Sequence, residues 1–450
     1  MIAATPQQSA AHGGESAAPG ALDRRVWLAV AGLALAVRLV ALVWSWSGWQ
    51  VLPLDYLNQV YFDQGRALAA GGAYLGVDGQ PELLHPPGMA LLLAGLYRLF
   101  GTADVPVQLV FSLTDAAAAG LLAWLLAHVA GPRIGKAAGV AYALWLPAVW
   151  GAVARSPDGG MALAVLGALA CAFQAGRTGR AGRWGALAGV CLGVISYLRP
   201  DYLFLPVFLG AGLWFWQRKL WSALQFSVVA QVLALLLLLP WAHRNHQLTG
   251  RWIFTSTSVG ATLVSGLGAF SNPWGFGYTD GDRKREVQAA GIASQWSSEA
   301  DLFFRKRFAQ AVAEHPGAVA VTVVKRLPLA LAPPQTLGWA NPWKTSTFTQ
   351  DRAAGADRYQ VLLRDPLRVL ASYGDVLFVG LLNLGALLLW AVMAWRQPDL
   401  RPLLPLLTMP HAYGIASHLV VHFEPRYVLP SAFVLAVAVG WAVATRLGRR

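Results

Sequence analysis

The sequence predicts an all-α polytopic membrane protein, with about ten transmembrane helices of roughly 20 residues each, some interfacial helices and one large outer loop. Three observations predict it. Hydrophobic residues make up 56% of the 450-residue chain and charged residues only 13%, against about 25% charged in an ordinary soluble domain, which argues against a soluble globular enzyme. Apolar runs of near-spanning length recur along the chain. Lys and Arg fall in alternate short connections between those runs, the distribution that fixes the cytoplasmic side.

Each element follows from local composition. Residues 1–23 are rich in Ala, Gly, Ser and Gln without apolar periodicity and predict a disordered cytoplasmic tail. The first span follows Arg24 and Arg25 and runs to Trp44 and Trp46, with Trp49 just beyond; indole rings favour the water–lipid interface. Further runs lie near 105–130, 137–153, 160–176, 184–198, 202–217, 221–241, 373–395, 402–421 and 428–445. The segment 88–100 is too short to span and contains Arg98. The segment 316–335 is broken by Lys325, Arg326 and prolines. Both are expected to lie in the interface, which keeps the two termini on one side. The expected organisation is a tail (1–23), an N-terminal transmembrane module (24–241) with its first outer loop at 47–104, a large external loop (242–372) and a C-terminal transmembrane module (373–450).

The formal charge of +13, from 35 basic and 22 acidic side chains, is read through this topology. One set (Arg24, Arg25, Arg133, Lys136, Arg177, Arg180, Arg183, Arg218, Lys219, Arg396, Arg401, Arg446, Arg449, Arg450) orients the chain, and another in 242–372 faces outward. Nucleic acid is not an expected partner. Cys171 and Cys191 lie inside apolar runs and read as buried thiols rather than a disulfide or zinc set. Arg38 and Asp115 lie within spans and imply a buried partner. His411 and His418, seven residues apart on one span, are too sparse a set for a metal.

Five outer loops contribute ionisable groups: Asp55 and His85-Pro86-Pro87 after the first span, Arg155 and Asp158 after the third, Arg199 and Asp201 after the fifth, His243, Arg244 and Asn245 after the seventh, and Glu424 and Arg426 after the ninth. Carboxylates serve as general bases or as oxygen ligands for Mg²⁺ or Mn²⁺, and Asp55 and Asp158 are the candidates for catalysis and for such a cation. Arginines hold phosphate oxygens in a bidentate fork; Arg199, Arg244 and Arg426 are the candidates, with His85 and Glu424 as further substrate-binding positions. Ordinary loop polarity and helix capping by Asp158 are the plainer alternatives.

The run Asp55-Tyr56, Tyr61, Ala67, Gly71-Gly72, His85-Pro86-Pro87-Gly88 and Leu99-Phe100-Gly101 resembles the first outer loop of polytopic glycosyltransferases of the GT-C type. The likeness continues in Arg199-Pro200, Pro240-Trp241, Arg244-Asn245, Gly250-Arg251, His315-Pro316, Arg426-Tyr427 and Leu429-Pro430. As an ordered set these are similar to the bacterial branch related to dolichyl-phosphate-mannose-protein mannosyltransferases and the lipid A aminoarabinose transferase. The resemblance implies transfer of a monosaccharide, with inversion, from a polyprenyl-phosphate donor to an acceptor hydroxyl on protein, lipid or glycan, at the outer face of a bacterial inner membrane. It implies that Asp55 is the base or part of an acceptor and metal site, and that Asp158 is a second acidic position. His85 stands where related enzymes place a lysine. The alternative function is a transporter or flippase of lipid-linked sugars, which calls for charged mid-bilayer positions and repeated halves; a scaffold or an oligosaccharide ligase ranks third.

Overall fold

The computed structural model describes residues 24–46, 56–103, 105–154, 157–332, 366–422 and 425–447. Among these residues the secondary structure is helical, with no strand beyond an isolated bridge between Leu75 and Pro81. In chain order the helices are α1 (Arg24–Trp46), α2 (Tyr56–Ala69), α3 (Gly88–Phe100), α4 (Val105–Ala130), α5 (Pro132–Ala143), α6 (Leu146–Val153), α7 (Ala162–Thr178), α8 (Ala181–Ser196), α9 (Leu205–Gln217), α10 (Leu220–Thr249), α11 (Val259–Leu267), α12 (Asp280–Ala289), α13 (Ser298–Glu314), α14 (Pro316–Leu331), α15 (Pro366–Arg396), α16 (Leu404–Val420) and α17 (Phe433–Leu447).

Among the described residues, four helices are long and apolar enough to cross a membrane: residues 24–44 of α1, all of α4 and α10, and residues 377–396 of α15. The pair α5 and α6 is apolar and long enough when taken together, and is bent by 53° at its break. Trp145, between them, is extended (φ −71°, ψ 99°), and Pro147 opens the second half. The other expected spans are shorter helices, of 17 residues in α7 and 16 in α8 for example. Proline explains much of this shortening. The 3₁₀ turns at Pro157–Gly160, Pro200–Tyr202, Pro398–Leu400 and Pro425–Ser431 each begin with Pro, which restrains the residue before it from helical ψ. Helix α10 runs through Trp241 to Thr249 and is closed by Gly250 at φ +71°, so the segment expected to begin at 242 starts within this helix.

Helix directions agree with the alternation of basic loops. A Cβ placed on Gly120 of α4 would lie 3.1 Å from Ala31 of α1, while Asp115 meets Arg38; position falls along α4 as it rises along α1, so the two are antiparallel. By contrast α8 and α10 run parallel, with Gly185 against Phe226, Gly189 against Ala230 and Gly193 against Ala234 and Leu237. A Cβ on Gly189 would come within 2.6 Å of the Ala230 carbonyl. Small residues at four-residue spacing let two helix backbones touch. The main apolar core joins side chains of α1, α4 to α10 and α15 to α17, and a second core holds α11, α12 and α13 together in the segment expected outside.

Inside the bundle, Arg38 is fully buried and its Nη2 is 2.5 Å from Asp115 Oδ2. Its Nη1 donates to the Ala34 and Ala143 carbonyls, and the Tyr142 hydroxyl donates to Asp115 Oδ1 at 2.6 Å. This is the buried partner that the sequence implied for both residues. His411 and His418 are not brought to one ligand: His411 Nδ1 meets Ser431, whereas His418 Nδ1 meets the Gly414 carbonyl.

Candidate functional site

The loops expected on the outer face meet at one end of the bundle. Arg199 is the junction. Because Pro200 follows it, Arg199 takes an extended backbone (φ −154°, ψ 133°), and its guanidinium reaches Asp158 on the turn after α6. Nη1 lies 2.8 Å from Asp158 Oδ1 and Nη2 2.9 Å from Asp201 Oδ2. The same group sits over the Tyr427 ring, 4.4 Å from its centroid. Three sequence-distant connections, after α6, α8 and α16, therefore converge on one side chain. Asp158 is buried, with 4% of its surface exposed, and its side chain does more than cap a helix.

The first outer loop joins this cluster through the His85-Pro86-Pro87-Gly88 motif. Gly88 N–H donates to the Tyr197 carbonyl at 2.8 Å, two residues before Arg199. A Cβ on Gly88 would lie 2.5 Å from that oxygen, so only glycine allows the approach. The prolines lack N–H groups, while the carbonyls of His85 and Pro86 accept from the Tyr74 hydroxyl at 2.9 and 3.3 Å. His85 meets Tyr61 of α2 edge-on, with centroids 4.7 Å apart.

Behind His85 lies a residue that the sequence did not single out. Glu82 is buried, 3% exposed. Its Oε2 accepts from Gln64 Nε2 at 2.5 Å and lies 3.2 Å from His85 Nδ1. Its Oε1 accepts from the backbone N–H groups of Leu84 (2.6 Å) and His85 (3.1 Å). Burial pushes its carboxyl up, but the His85 and backbone bonds prevail and hold it below the ordinary carboxylate value. In the sequence, the only signal was a carboxylate three residues before the histidine.

Arg244 extends the site from α10. Its Nη1 donates to the Glu82 carbonyl at 2.7 Å and to Asn245 Oδ1 at 3.0 Å, and its guanidinium lies over Trp241, 4.8 Å from the centroid. Those bonds all use Nη1, so the Nε–Nη2 edge faces no protein acceptor among the described residues. The outer segment closes over the loop through Thr257 N–H to the Leu83 carbonyl (3.2 Å), Ser256 Oγ to the Leu84 carbonyl (2.5 Å) and Ser294 Oγ to Asp78 (2.6 Å). Between them is a cavity of about 380 Å³ lined by Asp78, Glu82, His85, Leu248, Ser294 and Trp296, among others.

Of the positions expected from sequence, the structure thus brings Asp158, Arg199, His85 and Arg244 to one end of the fold. Asp55 and Glu424 lie outside the described residues, as does the side chain of Arg426. No group of three or more His, Cys, Asp or Glu among the described residues could hold a metal ion. Asp158 and Asp201 share one guanidinium, and Asp55, the other half of the expected cation pair, lies outside the described residues.

Fold and site together describe a helical membrane protein with a polar cleft at one end of its bundle. No protein-family model and no curated protein matches the chain. Among solved structures, the chain is similar to the crystal structure of ArnT from Cupriavidus metallidurans bound to undecaprenyl phosphate, at 15% identity and a TM-score of 0.40, over 92% of this chain and 78% of that one.

Proposed function

We propose that the protein is a glycosyltransferase that moves a monosaccharide from a polyprenyl-phosphate donor to an acceptor hydroxyl, with inversion, at the outer face of a bacterial inner membrane. The observation that carries this reading is the convergence of Asp158, Arg199 and Asp201 with the His85-Pro86-Pro87-Gly88 loop and Arg244. All of these except Asp201 are positions at which the chain resembles GT-C enzymes. A lipid-phosphate donor lies with its head group at the interface, where these span ends are. The open edge of Arg244, with Arg426, suits the departing phosphate. Arg199 fixes the two aspartates rather than offering a vacant fork. Asp55 retains the role of base or of acceptor-orienting group, and the outer segment over the loop excludes water that would hydrolyse the donor.

The test is transfer by the purified protein, reconstituted in lipid with polyprenyl-phosphate-linked pentoses and hexoses, read by mass spectrometry of membrane and envelope acceptors. Transfer by wild type, lost in Asp55→Asn and Asp158→Asn, is the expected result. Transmembrane movement of the donor without any covalent product would instead establish the transporter reading.

A further inference from the structure

We propose that His85, with its ring fixed by Glu82, is the group that takes the proton from the acceptor hydroxyl, and that the acceptor occupies the cavity beside it. The inference rests on the glycosyltransferase reading and assigns its proton transfer to a residue otherwise placed on the donor side.

Three observations carry it. The first is the dyad. His85 Nδ1 lies 3.2 Å from Glu82 Oε2, and Glu82 has a full set of further donors in Gln64, Leu84 N–H and His85 N–H. The Glu82 carboxylate, engaged by these bonds, accepts from Nδ1–H and leaves Nε2 as the nitrogen that can take a proton. A histidine oriented in this way through its other nitrogen is the arrangement that proton abstraction requires.

The second is position. His85 lines the cavity between the first outer loop and the outer segment, and on its other side it meets Tyr61. Tyr61 also lies within electrostatic reach of Arg199. His85 therefore stands between an accessible chamber and the Asp158–Arg199–Asp201 cluster. Its side chain is 13% exposed, enough for contact with a bound molecule.

The third is the chemistry of the chamber. Its lining includes Asp78 and Ser294, bonded to each other, Glu82, Ser297, Ser298 and the indole of Trp296, and no Lys or Arg. Such a lining does not favour phosphate. It suits an uncharged, hydroxyl-bearing acceptor, with the indole as an apolar face. Donor and acceptor chemistry are thereby separated, with the open arginine edge on α10 and the acceptor-rich chamber under the outer segment.

The step balances without a co-reactant. The acceptor oxygen forms its bond to the anomeric carbon while the bond from that carbon to the phosphate oxygen breaks. The phosphate leaves with the electron pair, and the hydroxyl proton passes to Nε2 of His85. Asp55 then has the orienting role. The charged and titratable groups around His85 are Glu82 on its own loop, Tyr61 on α2, Tyr74 through its bond to the His85 carbonyl, and Arg244 on α10 through the Glu82 carbonyl.

The experiment compares wild type, His85→Gln, Glu82→Gln and Arg244→Gln in lipid, measuring polyprenyl-phosphate binding and sugar transfer across pH on the same preparations. His85→Gln is expected to keep polyprenyl-phosphate binding, to lose about 10²–10⁴-fold in transfer, and to lose the acidic limb of the pH profile. Glu82→Gln is expected to lower kcat with the donor KM unchanged. Arg244→Gln is expected to weaken binding. If His85→Gln weakens polyprenyl-phosphate binding in parallel with transfer, His85 is a phosphate ligand; the proposal is then overturned while the glycosyltransferase reading survives. Unchanged transfer by His85→Gln overturns it as well. A wild type that neither binds the lipid nor transfers sugar overturns the function, and the proposal with it.

Discussion

Two arginine–aspartate pairs in this protein have the same chemistry and opposite surroundings. Arg38 and Asp115 are enclosed by α1, α4 and α5: the guanidinium has no exposed surface, and its donors meet Asp115 and the carbonyls of Ala34, Ala143 and Tyr142. Arg199, Asp158 and Asp201 sit on turns at span ends, where the side chains of Arg199 and Asp201 are 16% and 20% exposed, and aromatic rings lie beside them rather than helix backbone. The closed pair fastens helices. The open cluster keeps part of Arg199 and Asp201 exposed. A charged pair within a span is read by counting its remaining hydrogen bonds, and here every donor of Arg38 is met by Asp115 or by helix carbonyls.

The largest effect is expected at the closed pair. Arg38→Ala leaves Asp115 buried without its partner and should cost about 3–5 kcal/mol, read as loss of folded protein in detergent melts. The double change Arg38→Met with Asp115→Leu should recover most of that stability, because an apolar replacement of a buried pair is often neutral. Arg199→Lys comes next. Lysine cannot hold two carboxylates in a planar fork, so transfer should fall sharply while the melting temperature changes much less than in Arg38→Ala.

A smaller effect concerns pH. The carboxyl of Glu82 lies below its ordinary value of 4.5 in the folded protein, so the unfolded chain binds the proton more readily. Its contribution is present above pH 4.5 and is lost only as pH falls through the lower folded value. Hydrogen exchange at Leu84 and Thr257 should accelerate only below that range in wild type, and should be fast already at neutral pH in Glu82→Gln. The smallest effect belongs to the exposed pair Arg66–Asp63, at 40% and 65% side-chain exposure. Asp63→Asn should change stability by no more than about 1 kcal/mol.

Much of this was legible in the sequence. Basic residues in alternate loops placed five polar loops on one face, and the structure gathers four of them through Glu82, Asp158, Arg199 and Arg244, and adds Tyr427 from the fifth. The Arg199-Pro200 step and the Pro86-Pro87-Gly88 run were readable because proline and glycine act on the local backbone. Glu82 was not readable, since its role comes from burial and from Gln64, eighteen residues away, which no local pattern encodes. Span lengths were not readable for a related reason: the apolar run of α7 starts after the Pro157–Gly160 turn and that of α8 ends at the Pro200–Tyr202 turn, and hydropathy does not register where a helix stops.

The central claim is that the open end of the bundle, where Arg244 stands by the His85 loop and the Arg199 cluster, serves a lipid-phosphate sugar, and that the closed pair does not. Its most direct measurement is polyprenyl-phosphate binding by the full chain in lipid, compared between Arg244→Gln and the Arg38→Met, Asp115→Leu double variant. The account predicts weakened binding in the first and wild-type binding in the second. Equal binding by both variants, or loss confined to the double variant, would contradict it.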